Sequence, residues 1–186
     1  MEDIPEDAPK PKRKAVRLST YVDANLMHCK VTGRSVTGII HMINVTILDW
    51  FTKKQSVVEA ATYGSEFMAA HIAVQQIIAM RLTLRYMGVP MDGPAWMLGD
   101  NEGVVKSSTI PTSTLKKRHN TLSYHTVRAA IVAGFIEFRH IPGQTNPADC
   151  LTKHLEPRDL EPCIYPHLFW QGKKETYKGR KKNSGT

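Results

Sequence analysis

The rhythm of apolar and polar positions changes several times along this chain of 186 residues. From Val16 to Ala24, β-branched and apolar side chains alternate with polar ones, which predicts a strand ending at Asp23. A loop with Gly33 follows, then Thr37 to Val45, apolar and β-branched, then Thr46 to Thr52 with Ile47, Leu48, Trp50 and Phe51. Three short strands with turn residues between them predict an antiparallel meander. The period then lengthens: Phe67, Ala70, Val74, Ile77, Arg81 and Leu84 recur at helical spacing between Tyr63 and Tyr86, and Gly88 with Pro90 stops the helix. Ala95 to Leu98 reads as a fourth strand running into Gly99-Asp100-Asn101, with a short helix capped by that Asp or Asn. Thr114 to Ala133 is helical, Gly134 breaks it, Phe135 to Ile141 alternates as a fifth strand, and Pro147 to Leu155 predicts a final helix.

This order predicts an α/β protein. A long helix between an antiparallel meander and a further strand implies a right-handed crossover, which sets that strand parallel to one of the meander. Sites in such sheets form at the carboxyl ends of strands. Asp23 and Asp100 both stand there, and Asp149 opens the final helix. Glu66 falls in the first turn of the long helix, on the stripe of Ala70, Ala73 and Ile77, so it points at the sheet. Taken singly, each acid has an ordinary explanation as a cap or a partner of a helix dipole. Together they form a candidate four-carboxylate cluster. Like charges at a few ångströms repel, and hard divalent cations with oxygen ligands relieve them.

Net charge is +8 and the pI about 9.5. A basic surface around an acidic centre suits a polyanion such as nucleic acid. Residues 1–15, with Lys10-Pro11-Lys12-Arg13-Lys14, read as a disordered basic arm, and 171–186 as a basic tail. The domain between them spans 16–156, with 157–186 a C-terminal extension. Cys29, Cys150 and Cys163 form a sparse odd set without C-x-x-C, which argues for a reducing intracellular compartment. Neither His28-Cys29 nor Cys150-x-x-x-His154 matches a standard zinc spacing. No secretory signal is visible, and no apolar run approaches the roughly 20 residues that span a bilayer.

Seven pieces in order carry a resemblance. They are Tyr-Val-Asp-Ala, Thr-Gly-Arg-Ser-Val-Thr-Gly-Ile-Ile, Leu-Asp-Trp-Phe-Thr-Lys-Lys-Gln, Ser-Glu-Phe-Met-Ala-Ala, Gly-Asp-Asn, Lys-Lys-Arg-His-Asn-Thr-Leu-Ser-Tyr-His-Thr-Val-Arg and Ile-Pro-Gly-Gln-Thr-Asn-Pro-Ala-Asp-Cys-Leu-Thr-Lys. Over about residues 18–155 the chain resembles the ribonuclease H domain of copia-type retrotransposon polyproteins. The resemblance implies an RNase H-like fold, with a mixed five-stranded sheet flanked by helices. It implies cleavage of the RNA strand of RNA–DNA hybrids with two Mg²⁺ ions, for which Mn²⁺ can substitute. The metal-binding and catalytic acids fall on Asp23, Glu66, Asp100 and Asp149: Asp23 between both ions, Glu66 and Asp100 toward the leaving group, and Asp149 toward the attacking water. The partner would be the polymerase domain of the parent polyprotein, and the compartment the cytoplasm or a virus-like particle.

Asn25, Arg34, Ser35 and Asn101 are candidates for reading the RNA 2′-hydroxyl. Lys116, Lys117, Arg118 and His119 are candidates for holding nucleic-acid phosphates. The chain departs from the family pattern in two places. Arg118-His119-Asn120-Thr121 stands where family members have a Lys-His-Ile-Asp run. The short stretch from Pro142 to Asp149 offers Gln144, with His140 on the strand before it, where cellular ribonucleases H have a loop histidine. The rival readings are a nonenzymatic transposon remnant that folds and binds nucleic acid, a DNA-directed nuclease of the same broad fold, and a plain interaction module.

Overall fold

The computed structural model describes residues 6–7, 10, 12, 14–29, 31–115 and 120–168. Five strands form one mixed sheet: β1 (Leu18–Asn25), β2 (Val36–Ile43), β3 (Thr46–Lys54), β4 (Ala95–Gly99) and β5 (Ile136–His140). Their spatial order is β3-β2-β1-β4-β5. The first three strands pair antiparallel, as the meander requires. Helix α1 (Thr62–Tyr86) then crosses over, and β4 lies parallel to β1 with Tyr21 opposite Leu98 and Val22 opposite Gly99. The second crossover runs through α2 (Glu102–Thr109) and α3 (Thr121–Val132) to β5, parallel to β4. Both crossovers direct the carboxyl ends of β1 and β4 to the same edge of the sheet.

One sheet face carries Val22, Ala24, Ile39, Met97, Ile136 and Phe138, which pack with Phe67, Ala70, Ala73, Val74 and Ile77 of α1 and with Tyr124 and Val127 of α3. By length and composition α1 could cross a bilayer, which corrects the expectation that no stretch qualifies; here it is the core helix of the fold, with Ala69, Ala73 and Val74 fully buried. Gly88, at φ 74°, supplies the left-handed residue that ends it.

On the opposite face, α4 (Asp149–Thr152) and α5 (Pro157–Leu168) cover β2 and β3. Gly38 permits this close approach: a Cβ there would stand 2.6 Å from Thr152 Cγ2 and 3.0 Å from the Ala148 carbonyl oxygen.

The elements differ from the sequence pattern in three places. Helix α3 spans Thr121–Val132 rather than starting at Thr114. The helix expected over Pro147–Leu155 is the single turn α4, preceded by a 3-10 turn at Gly143–Thr145. Helix α5 was not predicted: 157–168 were read as part of an extension, and their prolines hid the helical period. Within the expected N-terminal arm, the amide of Lys12 donates to the Gly88 carbonyl at 3.2 Å, and Val16, at the start of the expected domain, donates to the Pro90 carbonyl at 2.9 Å. The expected tail at 171–186 lies outside the described residues.

Candidate metal centre

Asp23 lies near the carboxyl end of β1, and Asp100 directly follows β4, so parallel pairing of the two strands brings them side by side. Glu66 enters from α1. It belongs to the second turn rather than the first, which removes the simple dipole explanation and leaves its buried, inward orientation to be explained. Asp23, Glu66 and Asp100 each offer a carboxylate oxygen, and these oxygens lie within 4.8 Å of one another. Among the described residues this is the one such metal-capable group of His, Cys, Asp and Glu.

Burial makes the cluster costly. Asp23 is 2% exposed, and its carboxyl is pushed from its usual 3.8 up to about 6. Desolvation is the largest cause, opposed by a hydrogen bond from the Thr152 hydroxyl and reinforced by the charges of Asp149 and Asp100. Glu66 is raised well above the ordinary range, again mainly by burial and then by Asp23 and Asp100, while the Ala24 amide partly offsets this. Burial and mutual repulsion thus make both neighbouring acids resist ionisation.

Asp149 stands outside the 4.8 Å group but close enough for its charge to act on Asp23. Asn146 positions it. Its side-chain amide donates to the Val22 carbonyl at 3.0 Å, and its carbonyl oxygen accepts from the Ala148 amide at 3.2 Å. One carboxylate oxygen of Asp149 pairs with Lys153 Nζ at 2.7 Å, and the other is buried with no hydrogen-bond partner. Carboxylate donors and an orphaned buried oxygen fit a hard divalent cation, which takes oxygen ligands of this kind.

The cluster lines an open cavity of about 460 Å³ together with Asn25, Asn101, Thr62 and Lys153. Asn25 donates to the Thr152 carbonyl at 3.0 Å, and Asn101 caps α2 by accepting from the Val104 amide at 3.2 Å. Ser35 is fully buried and its hydroxyl accepts from the Met27 amide at 3.4 Å, so it supports the β1–β2 loop away from solvent. Arg34 is exposed in the same loop, where its carbonyl accepts from the Cys29 amide. Lys116, Lys117, Arg118 and His119 lie outside the described residues. His140 Nε2 stands 3.1 Å from the Asp100 carbonyl oxygen. Gly143 approaches Asp100, and Gln144 next to it is exposed.

Sequence reasoning missed Asn146, Thr152 and Lys153 as members of this site. For Lys153 a signal existed: Asp149 and Lys153 have the i,i+4 spacing that pairs acid with base on a helix.

A five-stranded mixed sheet in this order, with helices on both faces and acids gathered at the edge where β1 and β4 end, defines the RNase H-like fold. Solved structures agree. An N-terminal RNase H domain from Mycobacterium tuberculosis superposes with a TM-score of 0.58 at 14% identity, covering 81% of this chain and 98% of that one. LC11-RNase H1, solved with an RNA/DNA hybrid, gives 0.56 at 16% identity, covering 73% and 94%. The foamy viral protease-reverse transcriptase, also solved with RNA/DNA hybrid, gives 0.56 at 15%, covering 81% of this chain and 22% of that one.

In sequence the relatives are retrovirus-related Pol polyproteins of plant transposons. The one from transposon RE1 of Arabidopsis thaliana is 24% identical over 144 residues, 77% of this chain. The one from transposon TNT 1-94 of Nicotiana tabacum is 23% identical over 146 residues, 78% of this chain. The chain spans about a tenth of the length of these relatives, 10% and 11%. No family model matches it.

Proposed function

We propose that the protein is a metal-dependent endonuclease that cuts the RNA strand of RNA–DNA hybrids, the ribonuclease H part of a copia-type retrotransposon polyprotein. The observation that carries this reading is the convergence of Asp23, Glu66 and Asp100 from three elements onto one point, at a cost in burial that a divalent cation would offset. The similarity to Pol polyproteins and the RNase H-like fold support it.

Asp23, Glu66 and Asp100 would hold Mg²⁺ or Mn²⁺, with Asp149 completing the ligand set. A bound pair of such ions neutralises developing phosphate charge and lowers the pKa of an attacking water. The chain's own residues do the rest. Thr152 fixes the Asp23 carboxylate by its hydroxyl, the Ala24 amide holds Glu66, and Asn146 aims the segment that bears Asp149. Asn25 and Asn101 line the same cavity, placed for contact with the 2′-hydroxyl that separates RNA from DNA. Arg34 at the β1–β2 loop, and Lys116, Lys117, Arg118 and His119 ahead of α3, are assigned to nucleic-acid backbone. Ser35 serves through the loop it braces. The polymerase domain of the parent polyprotein would present the hybrid. Three free cysteines suit a reducing compartment such as the cytoplasm or the interior of a virus-like particle.

The test is cleavage of a labelled RNA–DNA hybrid in Mg²⁺ and in Mn²⁺, with Asp23→Asn in parallel and double-stranded DNA as competitor. RNA-strand cutting that disappears in the variant supports the reading. Retained hybrid binding without cutting would replace it with a nonenzymatic remnant.

A further inference from the structure

Lys153 is the basic side chain lining the cavity that also holds Asp23, Glu66 and Asp100. It sits one turn after Asp149 and pairs with it at 2.7 Å, although the lysine side chain is still 41% exposed and the aspartate only 16%. The aspartate is therefore fixed, while the lysine has solvent on one side and room to withdraw. Asp149 is also the acid left out of the converging group, and the oxygen that Lys153 does not hold is buried without a partner. The feature to be explained is thus a carboxylate beside the cluster, half occupied by a tethered ammonium.

We propose that Lys153 is the resident counter-cation of the metal-free centre: it holds Asp149 and must release it before the metal completes its ligand set. This rests on the metal-centre reading above and assigns a regulatory part to a residue outside the ligand set. A single ammonium supplies one positive charge to several carboxylates, so it stabilises the empty site only partly. A divalent cation supplies more charge and a better match to oxygen donors, and displaces it. The released ammonium then lies at the cavity mouth, where a phosphate backbone would meet it. Lys153 is a positioning residue in this scheme, acting through Asp149.

The experiment is Mn²⁺ binding, without nucleic acid, followed by electron paramagnetic resonance of the free ion and by calorimetry. Wild type is compared with Lys153→Met, Lys153→Arg, and Lys14→Met as a charge-loss control far from the site. Melting temperatures in chelator are recorded for each. Removing the competitor should tighten Mn²⁺ binding roughly tenfold, the scale expected for one neighbouring charge at a partly screened site. It should also lower the melting temperature in chelator. Lys153→Arg and Lys14→Met should stay near wild type. In an Asp149→Asn background, Lys153→Met should lose most of its effect on affinity.

Unchanged or weaker Mn²⁺ affinity in Lys153→Met, with wild type binding normally, overturns this inference and leaves the metal centre standing. An equal effect in the Asp149→Asn background also overturns it, because the lysine would then act only as a general charge. Absence of Mn²⁺ binding by wild type overturns the metal centre and this inference together. Hybrid cleavage does not enter any of these outcomes.

Discussion

Helix α1 brings two polar side chains to the same sheet, the buried Glu66 near its start and the half-buried Gln76 further along. Around Gln76 the contacts are complete: His41 Nε2 lies 3.0 Å from Gln76 Oε1, and His41 Nδ1 lies 2.8 Å from the Thr20 hydroxyl. Burial pushes the His41 imidazole below its usual range, and both ring nitrogens are paired. Around Glu66 burial also disfavours charge, but the neighbours are Asp23 and Asp100. Two polar groups on one helix thus differ in what faces them. Gln76 meets a neutral partner and holds the sheet to the helix. Glu66 has the Ala24 amide but faces two further acids, an arrangement the rest of the core supports, as is usual where a ligand completes a site.

The strongest way to break this contrast is Asp23→Asn. RNA-strand cleavage should fall on the order of a thousandfold or more in a hybrid-cleavage assay, the scale seen when a group that organises transition-state charge is lost, while the fold persists. If cleavage survives, the Glu66 region is not catalytic. At the other region, His41→Ala should cost ~3 kcal/mol in urea denaturation, since it removes a buried ring and orphans Thr20 and Gln76. Mn²⁺ affinity should be unchanged there.

A pH series sharpens the comparison. Folded Asp23 takes up its proton at about 6, against an ordinary 3.8, so between those values the folded chain binds more protons than the unfolded one. Metal-free stability should therefore fall as pH rises from about 4 to about 6, by up to ~3 kcal/mol for a shift of this size. Asp23→Asn should flatten that segment of the curve; equal slopes in variant and wild type would exclude Asp23 as its source. Adding Mn²⁺ at a hundred times its dissociation constant should restore about 2.7 kcal/mol at neutral pH, and chelator should remove it, as read by melting temperature. Asn101→Ala, which removes the cap of α2, should cost ~1 kcal/mol in stability and leave the His41 network untouched.

The pattern of residues revealed much of this. Three β-branched runs, one long helical stripe and the rule for crossovers were enough to set β4 parallel to a strand of the meander; that this strand is β1, which brings Asp100 beside Asp23, comes from the fold. The Ala70–Ala73–Ile77 stripe gave the direction of Glu66, though not its turn of the helix. The His41 network was not legible, because a histidine in an apolar strand gives no sign of which residues on another element will face it. Helix α5 was hidden by Pro157 and the prolines after it. Thr152 and Asn146 were out of reach for a different reason: their partners on β1 are more than a hundred positions away (129 for Thr152–Asp23, 124 for Asn146–Val22), and only the fold relates them.

That last distance has a consequence for how the protein comes into being. β1 precedes the other strands and α4 follows all five, so the hydroxyl that steadies Asp23, and Asp149 with it, are synthesised after the sheet has emerged. Contacts between remote parts of a chain form late and slowly, because a long loop must close before they give anything back. A nascent chain stopped just after β5 would already own the five strands and α1, with Asp23, Glu66 and Asp100 in place, but without the segment that orders them. If the proposed cleavage holds, it would depend on the arrival of that short stretch, and a premature stop before it would leave Asp23 without the Thr152 hydroxyl and the cluster without Asp149.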